Sequence, residues 1–425
     1  MRSRRAPFLA ALCSTSSLYC LPVTHGWAGD APQPIDLSLD IDVIAHRLDA
    51  ARQQIEPSLG ASVYAFPPAA LQNIPQGDNA PMNQVLLQAP GVAQDSFGQI
   101  HLRGEHANVQ YRLNGVELPE GLSVFGQALE QRFADSMSLI TGALPAQYGF
   151  QTAGVVDIQT KTGLTSSGLT ISTYGGNSNQ EPSFAYGGSS GAVNWFFTGD
   201  FLHDNRGIEN PTASFNPIHD TTSQFHGLGY VGAILDPDTR ISLVVGGFDG
   251  LFQIPDNPGQ QTPGYTVNGV SNFNSAQLNE TQREETAFTI LSLQKHVNDI
   301  DLEISAFTRY SSLRFSPDWL GDLLFNGIAQ QATRSDAAYG VQTDGSWKIN
   351  DQHTLRFGLL GQDETTTANT ISQVLPVDAA GNQTSDMPLS IPFGSSNAGG
   401  LGGIYLQDEW RILPTVTING GLRFD

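Results

Sequence analysis

After Gly163 apolar and polar side chains change places at almost every step, a period of two that admits extended strands and excludes helices over most of the remaining length. Val193, Trp195, Phe197, Gly199 and Phe201 share one face of a run whose other face carries Asn194, Thr198 and Asp200, with Phe196 the intruder. In Asp299 to Tyr310, Ile300, Leu302, Ile304, Ala306 and Tyr310 oppose Asp299, Asp301, Glu303, Ser305 and Arg309. Thr415 to Asp425 repeats the arrangement, with Val416, Ile418, Leu422 and Phe424 against Thr417, Asn419, Arg423 and Asp425. One face suits lipid and the other water. About eleven such strands can be drawn, each of about the 9 to 11 residues that cross a bilayer at a tilt.

The connections narrow the reading. Tight turns at Ser189-Ser190-Gly191, Asp236-Pro237-Asp238-Thr239, Asn298-Asp299, Asn350-Asp351-Gln352 and Leu413-Pro414 alternate with long links at His203 to Thr221, Asp249 to Arg283, Phe315 to Arg334 and Glu364 to Gly399. An outer-membrane barrel needs this parity, because its periplasmic turns are tight and its exterior loops long. A soluble sandwich has no reason to gather its long loops at one end. If the preceding part of the chain enters from the periplasm, the first strand, Thr165 to Gly175, runs outward and the tight turns all fall on the periplasmic side. Trp195, Tyr310, Trp347, Tyr405, Trp410 and Phe424 lie toward strand ends, where amphipathic rings form interfacial girdles.

Composition agrees with a barrel. Only 14% of residues are charged, and no uninterrupted apolar run reaches the roughly 18 residues of a membrane-spanning helix. A mean hydropathy of -0.19 is compatible with strands that alternate. The net charge of -21 argues against nucleic acid, which needs cationic groups to displace counterions; it suits solubility through mutual repulsion, or more sharply an acid-lined vestibule that attracts cations. Arg2, Arg4 and Arg5, the apolar stretch Ala6 to Leu21 and the small-residue site Gly26-Trp27-Ala28 read as an export signal, residues 1–28, cleaved before Gly29. Both cysteines, Cys13 and Cys20, lie within it, so the mature chain needs no disulfide; bulky Tyr19 argues against lipid attachment at Cys20.

Residues 29–48 read as a flexible leader with extended patches at Ile35 to Leu39 and Ile41 to Ala45. From Asp49 to Gly163 short helices and strands mix in one small α/β unit, with a helix from Met82 to Gln88 stopped by Pro90-Gly91. Glycines at 104, 115, 142 and 149 mark sharp turns or close backbone approaches.

Three segments of this unit resemble the plug domain of TonB-dependent outer-membrane receptors. Pro81 to Val92, ending in Pro90-Gly91-Val92, resembles the helix and turn that lead to a plug apex. Ile100-His101-Leu102-Arg103-Gly104 followed by Gln110 to Val116, with Asn114-Gly115-Val116 at its turn, is similar to the family's Ile-Arg-Gly strand and Asp-Gly-Val hairpin. Leu139 to Gly149, containing Gly142, Tyr148 and Gly149, continues through Gly154 to Lys161 toward the wall. Thr141 stands where the family usually has arginine, and Asn114 replaces its usual aspartate. The resemblance implies a transmembrane antiparallel β-barrel, membrane all-β in class, preceded by the plug at residues 49–163 and occupying residues 164–425. It suggests that Arg103 faces the wall in a buried ion pair; the residues alone also allow a solvated plug arginine.

The same resemblance implies a gated pore in lipid that binds a small extracellular ligand and draws energy from periplasmic TonB, through a short extended segment that adds a strand to that partner. The candidates are Ile35, Asp36, Leu37, Ser38 and Leu39, or Asp42, Val43, Ile44 and Ala45. A passive binder or adhesin without energy coupling is the alternative. The plug apices, Gln94 to Gly98 and Leu118 to Gly126, offer Gln94, Asp95, Phe97, Glu120 and Phe125 as ligand contacts, suited equally to a siderophore, metal chelate, glycan or cobalamin-like molecule. No catalytic motif, cofactor motif or metal site is expected: His101 and His106, five apart across a glycine turn, match no standard zinc spacing. A plug of this size calls for about 22 strands in the family's closed barrel, so the eleven or so present are about half of the wall. The rest is expected downstream, in a chain cut short or a split gene, and the completed protein is expected to be a monomer.

Overall fold

The computed structural model describes residues 37–55, 61–95, 99–106, 108–126, 128–209, 212 and 217–425. The expected export signal lies outside them. So do Ile35, Asp36 and Phe97.

The described chain opens with a helix, α1 (Leu37–Ile55). The plug follows as β1 (Ala61–Phe66), α2 (Pro68–Gln72), α3 (Met82–Leu86), β2 (Val92–Gln94), β3 (Ile100–Leu102), β4 (Glu105–His106), β5 (Val109–Leu113), β6 (Val116–Leu118), β7 (Ala134–Gly142) and β8 (Gly154–Thr160). Its main sheet has the order β1-β7-β8-β5-β6, with β5 and β8 parallel, and β2-β3-β4 form a second small sheet. Leu86, Leu102, Leu113, Phe133, Met137, Val156 and Ile158 close its core.

The wall comprises β9 (Gly168–Gly175), β10 (Asn179–Ser190), β11 (Val193–Asp204), β12 (Thr222–Asp236), β13 (Thr239–Gln253), β14 (Thr281–Val297), β15 (Ile300–Ser316), β16 (Ile328–Lys348), β17 (His353–Val374), β18 (Leu389–Leu413) and β19 (Val416–Phe424), with α4 (Trp319–Asn326) between β15 and β16. Chain neighbours are sheet neighbours throughout, giving one 11-stranded antiparallel meander with β9 and β19 at its edges. The expected alternation holds, and its polarity is that of a membrane wall. On β14, Gln282, Glu284, Thr286, Ser292 and Gln294 are buried while Leu291 and Leu293 are exposed. On β15, Asp301, Glu303 and Ser305 are buried while Ile304 and Tyr310 are exposed. The buried polar residues face the plug and the exposed face is apolar, the reverse of a soluble sheet, although Phe288, Ile290 and Phe307 also turn inward and pack on the plug core. No described helix is long and apolar enough to cross a membrane.

Turn chemistry fixes the short ends. Asp236 accepts from the backbone N–H of Asp238 at 2.9 Å and from the Thr239 hydroxyl at 2.8 Å, which closes the β12–β13 turn. Asn298 takes a φ of 54° between β14 and β15, where an asparagine tolerates the left-handed region.

Several expectations need correction. From Leu37 on the leader is helical, and the proposed boundary at 48 falls inside α1: Ala45, Leu48, Ala51 and Arg52 form one buried face, so packing on the wall outweighs the weak extended pattern. Strand pairing runs well past the bilayer. β18 has 25 residues and β17 has 22, so much of Glu364 to Gly399 is hairpin rather than loop, while Phe315 to Arg334 holds α4 and the start of β16. The link between β9 and β10 is a short outer connection, an exception to the alternation. Tyr405 is buried against Asp344, its hydroxyl donating at 2.6 Å, and so belongs to the inner face rather than to a girdle.

Candidate functional site

The wall curves around the plug, because plug residues meet wall strands from β10 through β19. Arg132 lies between wall and plug acids: it pairs with Glu181 of β10, and its Nε lies 3.0 Å from Asp200 of β11 and 3.2 Å from Glu130. His226 of β12 completes this buried group, 2.9 Å from Asp200 and 3.3 Å from Glu130. Arg112, whose guanidinium lies over the Tyr148 ring at 5.3 Å, reaches 3.6 Å from Asp344 of β16. On β18 Gln407 accepts from the Ala146 N–H at 2.8 Å, and on β19 Arg423 donates to the Gln147 carbonyl at 2.8 Å.

At the tight-turn end, α1 is fastened to the same wall. Arg47 pairs at 2.6 Å with Asp238 of the β12–β13 turn, Asp49 at 2.6 Å with Arg240, and Arg52 with Glu303 of β15 at 2.7 Å. Of the segments considered for strand addition, Leu37 to Ala45 are therefore helical rather than extended, with Asp42 and Val43 exposed and Ala45 buried.

At the opposite end one plug apex, Leu118 to Gly126, lies against the wall near the long loops. The loop after β6 is held by Glu284 of β14, whose carboxylate accepts from the N–H groups of Val124, Phe125 and Gly126 at 3.1, 3.0 and 3.0 Å. The Leu122 N–H donates to Ser311 at 2.8 Å, and Arg309 donates to the Pro119 carbonyl at 2.6 Å. Between this loop and the wall lies a chamber of about 640 Å³, lined by Tyr111, Glu120, Phe125 and Gln151 from the plug and by Arg309 and Arg334 from the wall. It mixes aromatic surface with a few charges, as ligand pockets do. Burial pushes the Tyr111 phenol up to about 12, so it keeps its proton as a donor. Outside the chamber, Asp318 caps α4 by accepting from the Gly321 N–H at 2.9 Å, beside Asp322, Asp256 and Glu280. Burial first, then the hydrogen bond and charge of Glu280, push Asp322 up to about 9; burial with Glu280 and Asp318 pushes Asp256 up to about 6.

Of the ligand residues expected from sequence, Glu120 and Phe125 line this chamber, whereas Gln94 is exposed and Asp95 half-buried outside it. Among the motif residues, Asn114 and Gly115 take φ of 51° and 81° in the β5–β6 turn, and the Asn114 amide bridges to Thr160 at 2.9 Å in both directions. Gly91, Gly104 and Gly142 also have positive φ; Gly149 does not, and is small because the Arg423 guanidinium lies against it. Pro90 is exposed, while Val116 and Tyr148 are buried. Arg103 does not form the wall ion pair: it is exposed and donates to Thr141 of the plug at 3.3 Å, the residue that departs from the family pattern. Arg52, Arg112 and Arg132 instead make buried pairs with wall acids, and their partners Glu303, Asp344, Glu181 and Asp200 are too distant in sequence for the residues alone to have shown them.

Among the described residues two groups hold three metal-capable side chains within reach of each other: Glu130, Asp200 and His226, and Asp95, His101 and His106. In the first the guanidinium of Arg132 already occupies the cation's place.

No family model matches the sequence, and no curated protein does. Solved structures do. The chain is similar to the outer membrane transporter YddB from Escherichia coli, at 13% identity and a TM-score of 0.55, covering 87% of this chain and 58% of that one. The ferric citrate transporter FecA gives a TM-score of 0.62 at 13% identity, covering 88% and 57%. The copper transporter OprC gives 0.60 at 16%, covering 86% and 55%. The chain thus spans a little over half the length of these relatives. With an 11-stranded outward-greasy wall wrapped on an α/β plug, it has the plug-and-barrel fold of the TonB-dependent outer-membrane receptors.

Proposed function

We propose that this chain supplies the plug and part of the wall of an outer-membrane importer, which binds a scarce extracellular ligand over the plug and admits it to the periplasm with energy from TonB. The observation that carries this is the pairing of an apical chamber with a plug fastened by ion pairs rather than by covalent or wholly apolar contact. Such pairs fix one closed state yet can be exchanged for water when the plug is pulled. The similar structures include transporters described as taking ferric citrate and copper, which supports a metal-containing cargo.

TonB would engage the segment Ile35 to Leu39 as an added strand only with the first turn of α1, Leu37 to Leu39, unwound, and the rest of α1 would carry the pull to Glu303. Deleting Ile35 to Leu39 in the full-length protein, with uptake and binding measured side by side, tests this. Loss of uptake with binding retained is expected. Uptake and binding both unchanged remove the coupling role of this segment.

A further inference from the structure

Asp95, His101 and His106 converge at the plug's small sheet, although they looked unrelated along the chain. The reason is the turn. Arg103 and Gly104 have φ of 51° and 87°, the left-handed pair of a two-residue hairpin, so β3 and β4 pair with His101 directly opposite His106. Residues i and i+5 across such a turn share a face. On the other side His101 pairs with Ala93 of β2, and alternation puts Asp95 on that face too. Asp95 is positioned by its own loop: Oδ1 accepts from the Gln99 N–H at 2.9 Å, and Oδ2 is turned to His101.

His101 Nε2 lies 3.3 Å from Asp95 Oδ2 and 3.1 Å from His106 Nδ1. A neutral ring nitrogen has either one proton or one lone pair. With a proton shared between both neighbours each bond is bent; with a lone pair it faces a carboxylate oxygen. A cation among the three atoms satisfies all of them at once. Donors bound at about 2.0 to 2.1 Å around a tetrahedral ion stand about 3.3 to 3.4 Å apart, close to the two distances here. Two imidazoles and one carboxylate select a late first-row divalent ion over calcium or magnesium.

We propose that Asp95, His101 and His106 form a three-ligand site for a late first-row divalent metal ion such as Zn2+ or Co2+, with the remaining coordination open to water or to a small chelator. The site adjoins the chamber, which Gln99 and Ile100 line. Resting on the importer reading, it makes the cargo a metal that the protein grips through its own side chains. The strongly acidic chain favours the approach of cations.

Titrating the purified full-length protein with Co2+ at pH 7.5, followed by visible ligand-field absorption and competed by Zn2+, tests the site. One equivalent should bind. His106→Ala and Asp95→Asn should each weaken it by at least about tenfold, the least that loss even of an outer partner of a metal ligand causes. His106 is exposed at a hairpin end, and the surface control His296→Ala should leave binding intact. Equal Co2+ affinity in the parent and in both variants, or no ligand-field bands in the parent, overturns the proposal. Metal uptake in cells is scored separately: binding as stated with uptake unaffected by gene loss keeps the site and removes the import reading, whereas uptake without binding removes the site alone.

Discussion

Arg52 of α1 donates from Nε and a terminal nitrogen to the two carboxylate oxygens of Glu303 on β15, at 2.7 and 3.0 Å, with both side chains buried. This fork joins the first described helix to the inner wall and lies at the end of the molecule where Arg47 meets the β12–β13 turn. A pull on the N-terminal side of α1 is therefore resisted at a defined place.

Arg52→Ala leaves Glu303 buried without its cation, and such a loss costs about 3 to 5 kcal/mol. Hydrogen exchange across residues 41–55 should speed up accordingly. The double change Arg52→Met with Glu303→Leu, which leaves no lone charge, should restore most of the protection. Unchanged exchange in the single variant contradicts a fastening role.

Glu284 gathers three backbone N–H groups of the apical loop on one carboxylate, and it is fully buried. Hydrogen bonds to a charged acceptor contribute about 1.5 to 3 kcal/mol each. Glu284→Gln keeps one acceptor oxygen but drops the charge and turns an amide NH2 toward the remaining N–H groups, so the loop should lose at least about 1 to 3 kcal/mol of local stability. The readout is exchange at Val124 to Gly126, with β12 and β13 amides as the unchanged reference.

The acids around α4 predict a pH effect of definite sign. Asp322 is pushed up to about 9 and Asp256 up to about 6, from the ordinary 3.8, so the folded loops hold more protons than the unfolded ones through that window. Their stabilising share is complete below 3.8 and is lost as pH rises through the folded values. Exchange protection of residues 319–326 should fall between pH 5 and pH 9, and Asp322→Asn should flatten that fall. A rise in protection over the same range would reverse the assignment.

Much of this fold was legible because a two-sided wall writes itself in a period of two. Ile304 and Glu303 announce their faces by chemistry alone, and the tight turns at Asp236 and Asn298 carry their own residue signals. What stayed hidden depends on partners distant in sequence. The helix α1 buries two alanines, a leucine and an arginine, a face too weak to read until Glu303 and Gln294 stand opposite it. Arg103 could not be assigned to Thr141, nor His101 to His106, before the hairpin register was known. The extended hairpins of β17 and β18 escaped because polar residues beyond the bilayer pair as readily as those within it.

The central claim is that the wall's outer face lies in lipid, and β14 tests it most directly. Both natural cysteines precede Gly29, so single cysteines can be placed at 287 to 293 and spin-labelled in native outer membranes. Labels at 287, 289, 291 and 293 should be relaxed by lipid-soluble oxygen and shielded from a water-soluble nickel chelate, while those at 288, 290 and 292 are shielded from both. Ready relaxation by the nickel chelate at 291 and 293 would place Leu291 and Leu293 in water and contradict the account.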